Sequence, residues 1–269
     1  MADPKGGILV NDDTGMITNT VKDLMKGALK SIMTGKLGDL MKMRTPAYVH
    51  CGRTYLNMLV FEVSFLEKML LKCQTDGFLE NPVERMKYIS TAMLASLHSG
   101  IEANGLLTPL NPILGETACV KTENGGTIYC EQTSHHPPIS HILYEGPASC
   151  PFVLSGYYQF KLGVSKSFTC AYFSAPGKVK LTLPNKDIVH LSSKTIEISG
   201  LMSTSKLLNV TGSMVFNDAF HGLTSTCSFD AQQKQRTGYW TSWVKGADKV
   251  NKDSGVLDNR RDLVNIQIT

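Results

Sequence analysis

Apolar residues recur at helical spacing close to the N-terminus. Val21, Leu24, Met25, Ala28, Leu29, Ile32 and Met33 fall at i, i+3, i+4, i+7, i+8, i+11 and i+12, which is one face of a helix. Lys22, Lys26 and Lys30 make a second stripe off that face. Thr18, Asn19 or Thr20 can cap the start, and Gly35 can end it. Two uses fit the pattern. The helix packs on a core, or it serves as a mobile cover or a membrane-lying segment with its lysines toward lipid phosphates. Methionines suit a face that meets more than one apolar partner. Ahead of it, residues 1–17 read as a flexible polar tail without the features of a signal peptide. A second helix is expected from about Val63 to Cys73. A third has the clearest start: Asn81 as N-cap, Pro82 in the first turn and Glu84 as a capping-box partner. Val83, Met86, Ile89, Met93 and Leu97 give it one apolar face, and it should end near Ser99–Gly100.

From Gly115 the period changes to that of strands. Segments near 117–122, 126–132, 139–145, 152–162, 167–173, 178–183, 187–191, 194–199, 207–216, 222–229 and 237–244 are β-rich and closely spaced. Asn124-Gly125-Gly126, Pro176-Gly177, Pro184-Asn185 and Asn217-Asp218 mark turns between them. Helices first and many short strands after predict an α+β chain with an antiparallel meander, a sandwich or a barrel. No repeat of fixed period is present. The last stretch, 245–269, is polar and basic through Lys245, Lys249, Lys252, Arg260 and Arg261, and reads as a basic tail or a partly helical end.

Composition narrows the setting. Of 269 residues, 42% are hydrophobic and 19% charged, an ordinary globular balance. A net charge of +4 does not by itself call for nucleic acid, though a local basic patch can face an anionic membrane. Seven cysteines, an odd number with no Cys-x-x-Cys, predict reduced thiols in a cytosolic protein. In that setting the acceptor sequence Asn209-Val210-Thr211 would go unglycosylated. The most apolar run, Met58 to Leu71, is broken by Glu62, Glu67 and Lys68, so no segment reads as membrane-spanning.

The candidate chemistry lies in Glu131-Gln132-Thr133-Ser134-His135-His136-Pro137-Pro138. Two imidazoles stand directly before two prolines, which fix their own φ and push His136 out of helical conformation. An extended, stiff segment is expected. Thr108 to Glu116, with Pro109 and Pro112, is built the same way, and the two turns would form a pocket mouth if they met. Enzyme signatures are missing: no Gly-x-Ser-x-Gly, His-Glu-x-x-His, P-loop or Gly-x-Gly-x-x-Gly occurs. Ser134 and His135, adjacent on an extended segment, should point apart, and the same geometry weakens Cys130 paired with either histidine. Cys119, Cys130, His135 and His136 lack chelating spacing for a metal. What remains is a pair of histidines in a proline-rich turn, or an anion site. Imidazole N–H groups would donate to a phosphate, with the Asn111 amide and a helix N-terminus adding donors. A binding protein is expected rather than an enzyme, with no metal and no cofactor.

The octapeptide resembles the signature of the oxysterol-binding-protein-related family, Glu-Gln-Val-Ser-His-His-Pro-Pro, with Thr133 in the Val place. The segment from Thr108 to Glu116 resembles that family's Lys-Pro-x-Asn-Pro-x-x-Gly-Glu, with Thr108 in the Lys place. Asn81 to Tyr88 resembles the helix leading into that turn, and Ser64 to Glu67 resembles a shorter family motif. Leu29 to Ile32, Gly38-Asp39-Leu40 and Pro46 resemble its N-terminal lid, so most of 20–230 is covered.

The resemblance implies an incomplete antiparallel β-barrel around an apolar tunnel, with residues 18–44 as lid, 45–244 as lipid-binding domain with N-terminal helices and 245–269 as basic C-terminal segment. It implies a sterol or phosphoinositide cargo exchanged between membranes by a cytoplasmic, peripherally membrane-associated monomer without nucleic-acid partners. His135 and His136 would bind the phosphate of phosphatidylinositol 4-phosphate, and Asn111 its headgroup near the glycerol phosphate. Leu24, Met25, Ala28, Leu29 and Ile32 would cover the tunnel. Thr108 brings a hydroxyl where the family has a headgroup-binding Lys, and the family's later Lys, Glu and Arg contacts find no match before Thr269. The chain therefore reads as a short form, without a targeting domain ahead of residue 20 and without a two-Phe acidic docking motif.

Overall fold

The computed structural model describes residues 8–11, 15, 18–19, 22–23, 47, 50–104, 107–165, 169–203, 205–229 and 265–268. Its helices are α1 (Tyr55–Val63), α2 (Leu66–Thr75) and α3 (Pro82–Asn104). The helix expected over 63–73 is α2, and α1, directly ahead of it, carried no helix reading. Ser64 separates them: its hydroxyl donates to Phe61 O at 2.8 Å and its N–H to the same oxygen. The Phe65 N–H is taken up by Ser96 Oγ of α3 at 3.2 Å. A serine competing for local backbone groups ends the first helix inside an apolar run. The α3 start is as expected, since Asn81 Oδ1 accepts from the N–H groups of Val83 and Glu84. Its inner face is Met86, Ile89, Ala92, Met93 and Leu97, while Val83 is exposed, and it runs on to Asn104. No described helix is long and apolar enough to cross a membrane.

The strands are β1 (Ile8–Asn11), β2 (His50–Thr54), β3 (Thr108–Leu110), β4 (Thr117–Lys121), β5 (Thr127–His135), β6 (Pro138–Glu145), β7 (Val153–Gln159), β8 (Lys161–Val164), β9 (Cys170–Ser174), β10 (Gly177–Thr182), β11 (Ile188–Leu191), β12 (Thr195–Ser199), β13 (Ser205–Thr211), β14 (Ser213–Asp218), β15 (Leu223–Ser228) and β16 (Asn265–Ile268). A nine-stranded antiparallel sheet has the order β16-β15-β14-β11-β10-β7-β6-β5-β4. A five-stranded one has the order β1-β13-β12-β9-β8, and β2 pairs with β3 in parallel. From β7 onward the chain alternates between the two large sheets. Hairpins β8–β9 and β12–β13 belong to the smaller, β10–β11 and β14–β15 to the larger. Each crossing is a short bend: Phe160 after β7, Ala175-Pro176 after β9, residues 192–194 after β11, and Gly212 after β13. Gly212 sits at φ +80°, a conformation that favours glycine, and so splits the single strand expected over 207–216. The result is an antiparallel β-barrel that does not close, with helices preceding its strands, as the family resemblance implies.

Four short strands, β1, β2, β3 and β16, come from segments without a strand reading. Ile8–Asn11, inside the expected tail, pairs with β13, and Asn265–Ile268, inside the basic C-terminal segment, pairs with β15. Both carry only four residues, too few to stand out as a period of two. The strand expected at 237–244 lies outside the described residues. So does most of the expected lid helix, of which residues 18, 19, 22 and 23 are helical.

Helices α1–α3 pack on the inner face of the larger sheet through Leu56, Leu59, Leu70, Ile89, Tyr144 and Phe216. A smaller core of Ala171, Ile198, Leu201 and Leu208 lines the five-stranded sheet. Two polar knots fix the helices. Buried Glu67 of α2 accepts from Thr122 Oγ1 (2.7 Å), Asn124 Nδ2 (2.8 Å) and the Tyr144 hydroxyl (3.1 Å), which ties α2 to β4–β6. Gly126 passes so close that a Cβ there would meet Glu67 Oε2 at 2.2 Å. Arg85 of α3, 1% exposed, reaches Asp187 Oδ2 at 2.9 Å, Asp218 Oδ2 at 3.1 Å and Leu79 O at 2.8 Å. Burial pushes the Asp218 carboxyl up, but the hydrogen bonds and charge of His221 and the Arg85 guanidinium outweigh it and leave the pKa lowered.

Arg85→Met should therefore strand two carboxylates and lower stability by about 3–5 kcal/mol at neutral pH, read from urea unfolding. A depressed carboxyl pKa stabilises above the ordinary value of about 4, and that contribution fades as pH falls through the lowered one. The gap between wild type and Arg85→Met should accordingly narrow as unfolding is repeated below about pH 4.

Candidate functional site

The two proline-rich turns meet, but the histidine segment is a hairpin turn rather than an extended run. In the β5–β6 hairpin His135 pairs with Pro138, so His136 and Pro137 form the reversal, with a cis peptide bond between them. Along β5, Ile128, Cys130 and Gln132 point inward while Tyr129, Glu131 and Thr133 point outward. The register shifts between Gln132 and Ser134, which leaves Thr133 as an extra residue, a bulge that re-aims the end of the strand. The turn brings the adjacent rings of His135 and His136 edge to face, with centroids 4.6 Å apart.

Gln132, wholly buried, braces this corner. Its amide nitrogen donates to Ser134 O at 2.9 Å and faces Asn111 Oδ1 at 3.4 Å, and Ser140 Oγ donates to its Oε1. Its backbone bonds to Gly115 and Glu116, which lays the Asn-Pro turn along β5. The Glu116 carboxylate closes that turn by accepting from the Ile113 N–H at 3.1 Å. His135 Nδ1 lies 3.0 Å from Pro112 O and 3.4 Å from Asn111 Nδ2. A carbonyl only accepts and an amide N–H only donates, so Nδ1 serves Pro112 O in the tautomer that protonates it and the Asn111 amide in the other. His136 and Asn111 are exposed and His135 is half-buried, so three donor-capable groups stand together at a rim.

Thr108 stands apart from this group, half-buried on β3, with its hydroxyl 3.0 Å from His50 Nδ1 of β2. The lid residues Leu24, Met25, Ala28, Leu29 and Ile32 lie outside the described residues. Cys119, Cys130, His135 and His136 do not converge on one point. Among the described residues the grouping with metal-compatible spacing is Asp187, Asp218 and His221, and there the Arg85 guanidinium already occupies the carboxylates.

Thr108 and Pro109 also line a cavity that opens to solvent. Its walls are mainly apolar, with Met58, Leu97, Phe160, Phe173 and Ile196 among them. It sits between the two hydrophobic cores, where the strands bend from one sheet to the other: Phe160, Ala175, Ser193 and Lys194 of the bends all face it. Its polar wall holds Tyr55 and a shielded ion pair, Lys194 Nζ to Glu62 Oε1 at 2.7 Å. Sequence reasoning passed over Tyr55, Lys194 and the bend residues. Glu62 inside an apolar run was the available signal, since a charge there needs a buried partner.

Comparison with known proteins agrees with this geometry. Residues 28–254 match the sequence model of the family described as oxysterol-binding protein. Oxysterol-binding protein 9 of Dictyostelium discoideum is 24% identical over 208 residues, which cover 77% of this chain and 46% of that protein. Mouse oxysterol-binding protein-related protein 8 is 26% identical over 250 residues, covering 89% of this chain and 26% of the relative. The chain thus spans half or less of the length of these relatives. Among solved structures, the Osh3 ORD of Saccharomyces cerevisiae in complex with PI(4)P superposes with TM-score 0.62 at 17% identity, over 75% of this chain and 52% of that one. The Osh1 ORD domain in complex with ergosterol gives 0.61 at 19% identity, over 70% and 44%. With the match running through the helices, the histidine hairpin and the cavity walls, the chain belongs to the oxysterol-binding protein family.

Proposed function

We propose that this chain binds a lipid in the cavity and carries it between membranes, as a cytoplasmic protein that touches membranes peripherally. The cargo is a sterol, a phosphoinositide, or each in turn. One observation carries the reading: β3 runs from the cavity wall at Thr108 and Pro109 straight to Asn111 and the histidine turn. An apolar chamber thereby shares an edge with a donor-rich rim, the layout a lipid needs for its tail and its phosphate. The ligand complexes of the Osh1 and Osh3 domains support both cargo types. Transport is physically reasonable, because an apolar cavity replaces the bilayer as solvent for the lipid. The segment 18–44 acts as lid, with Leu24, Met25, Ala28, Leu29 and Ile32 over the mouth. Thr108 in the place of a lysine favours a second reading for the headgroup: a phospholipid bound and sensed at lower affinity, without exchange.

Native mass spectrometry tests this after incubation with liposomes of sterol, phosphatidylinositol 4-phosphate and phosphatidylserine. A single lipid retained one-to-one is expected, and a lipid-free protein would refute the reading. His135→Ala with His136→Ala should abolish phosphoinositide extraction and leave sterol retention intact, because the rings stand at the rim. If sterol retention fell in parallel, the rim and the cavity would not be separate subsites.

A further inference from the structure

Solvent reaches the outward face of the larger sheet over six neighbouring strands, β4, β5, β6, β7, β10 and β11. Such a face is ordinarily polar, by the alternation along each strand. This one carries large apolar side chains as well: Tyr129 is 43% exposed, Ile188 39%, and Leu143 and Val153 37% each. Tyr129 and Leu143 are direct partners across β5 and β6, so the apolar part begins near the middle of the face.

The register orders its charges. One row, at the histidine end, runs Glu131, His141, Tyr157 and Lys178, each paired with the next. The row beside it runs Tyr129, Leu143, Ser155, Lys180 and His190. Glu131 and Glu145 thus lie on β5 and β6, while Lys178 and Lys180 lie on β10, with no Asp or Glu on β10 or β11. Lys121, at the far corner on β4, is the exception to this division. Glu131 and Lys178 are three strand spacings apart, about 14 Å, too far to pair within one copy.

A face that is acidic on one side, basic on the other and apolar between is complementary to itself turned over. Sheets stack face to face with their strands nearly aligned, about 10 Å apart. A two-fold axis along the strands, between β6 and β7, lays β5 of one copy over β10 of the other. Glu131 then faces Lys178 of the second copy, Tyr129 faces Lys180, and Leu143 meets Ser155 at the centre, each contact made twice. An axis across the strands sets Lys180 against its own counterpart and gives Glu131 no cation, so charge selects the first arrangement.

We propose that this face is the contact of a reversible homodimer, two copies stacked sheet on sheet about an axis along the strands. The family resemblance implies a monomer, and the homodimer takes the place of that expectation. The six strands span about 25 Å by 15–20 Å, roughly 500 Å² per copy, which is the low end for a specific interface and makes the dimer weak. The axis keeps both His135–His136 turns at the same end, so both rims of a pair face the same way.

Sedimentation velocity on the full chain, from about 1 to about 500 µM, tests this without any lipid. Wild type should pass from monomer to dimer across that range and shift back toward monomer as salt is raised. Glu131→Lys and Lys178→Glu should each weaken association about tenfold or more, because each sets like charges face to face. An equal mixture of the two variants should associate again, since every Lys then meets a Glu. Leu143→Asp should leave a monomer with an unchanged melting temperature, the site being on the surface. A wild type that stays monomeric to the highest concentration would overturn the proposal. So would a dimer that survives all three substitutions, or folded charge variants that do not associate on mixing. None of these results bears on lipid retention, so the carrier reading stands or falls separately.

Discussion

Strands that leave one sheet for another must bend, and a bend cannot pack as tightly as a straight pair of strands. Here the crossings at Phe160, Ala175 and Ser193-Lys194 all line one cavity. The inner face of the larger sheet is filled by α1–α3, and the smaller sheet has its own modest core. Between them the cores meet through Phe160 and Phe173, whose ring centroids lie 6.2 Å apart, and the cavity opens beside that contact. The cavity is therefore a consequence of topology, not a defect in packing, and it persists as long as the helices stay docked on one side only.

That docking depends on charges placed where few proteins put them. Arg85 and Glu67 are both almost wholly buried, and each ties a helix to the larger sheet through several partners. Glu62 and Lys194 do the same across the cavity wall, joining α1 to a bend. Replacing a satisfied buried pair by apolar residues is often neutral for stability. What the ionic ties supply instead is position. Apolar contacts alone would let α1 and α3 slide over the sheet, and sliding would fill the chamber. Directional bonds at its edges hold the helices back from it.

The sequence made some of this legible and hid the rest for physical reasons. The α3 start was readable because capping is local, and the strand series because alternation repeats within a few residues. Helix α1 was hidden ahead of the expected 63–73, since the break at Ser64 is completed only when the Phe65 N–H meets Ser96 across the fold. The histidine motif was readable as chemistry but not as shape: the prolines point to an extended segment, and only pairing across β5–β6 makes it a hairpin. Tyr55 was unreadable. A tyrosine at the start of a helix looks like any half-buried aromatic until the cavity beside it is known.

The departure at Thr108 is easier to weigh with the geometry in view. A lysine at this place would bring a long flexible cation toward the rim. Thr108 instead keeps its short side chain half-buried against His50, on the cavity side of the strand that leads to Asn111. The rim loses a fixed charge, and its remaining charge is whatever the histidines carry. A phosphate placed there would meet the Asn111 amide and two imidazoles rather than a lysine. The chamber behind it keeps its apolar walls whatever the rim does. Under the lipid-binding reading proposed above, rim and chamber are built from different residues, so either can change without rebuilding the fold.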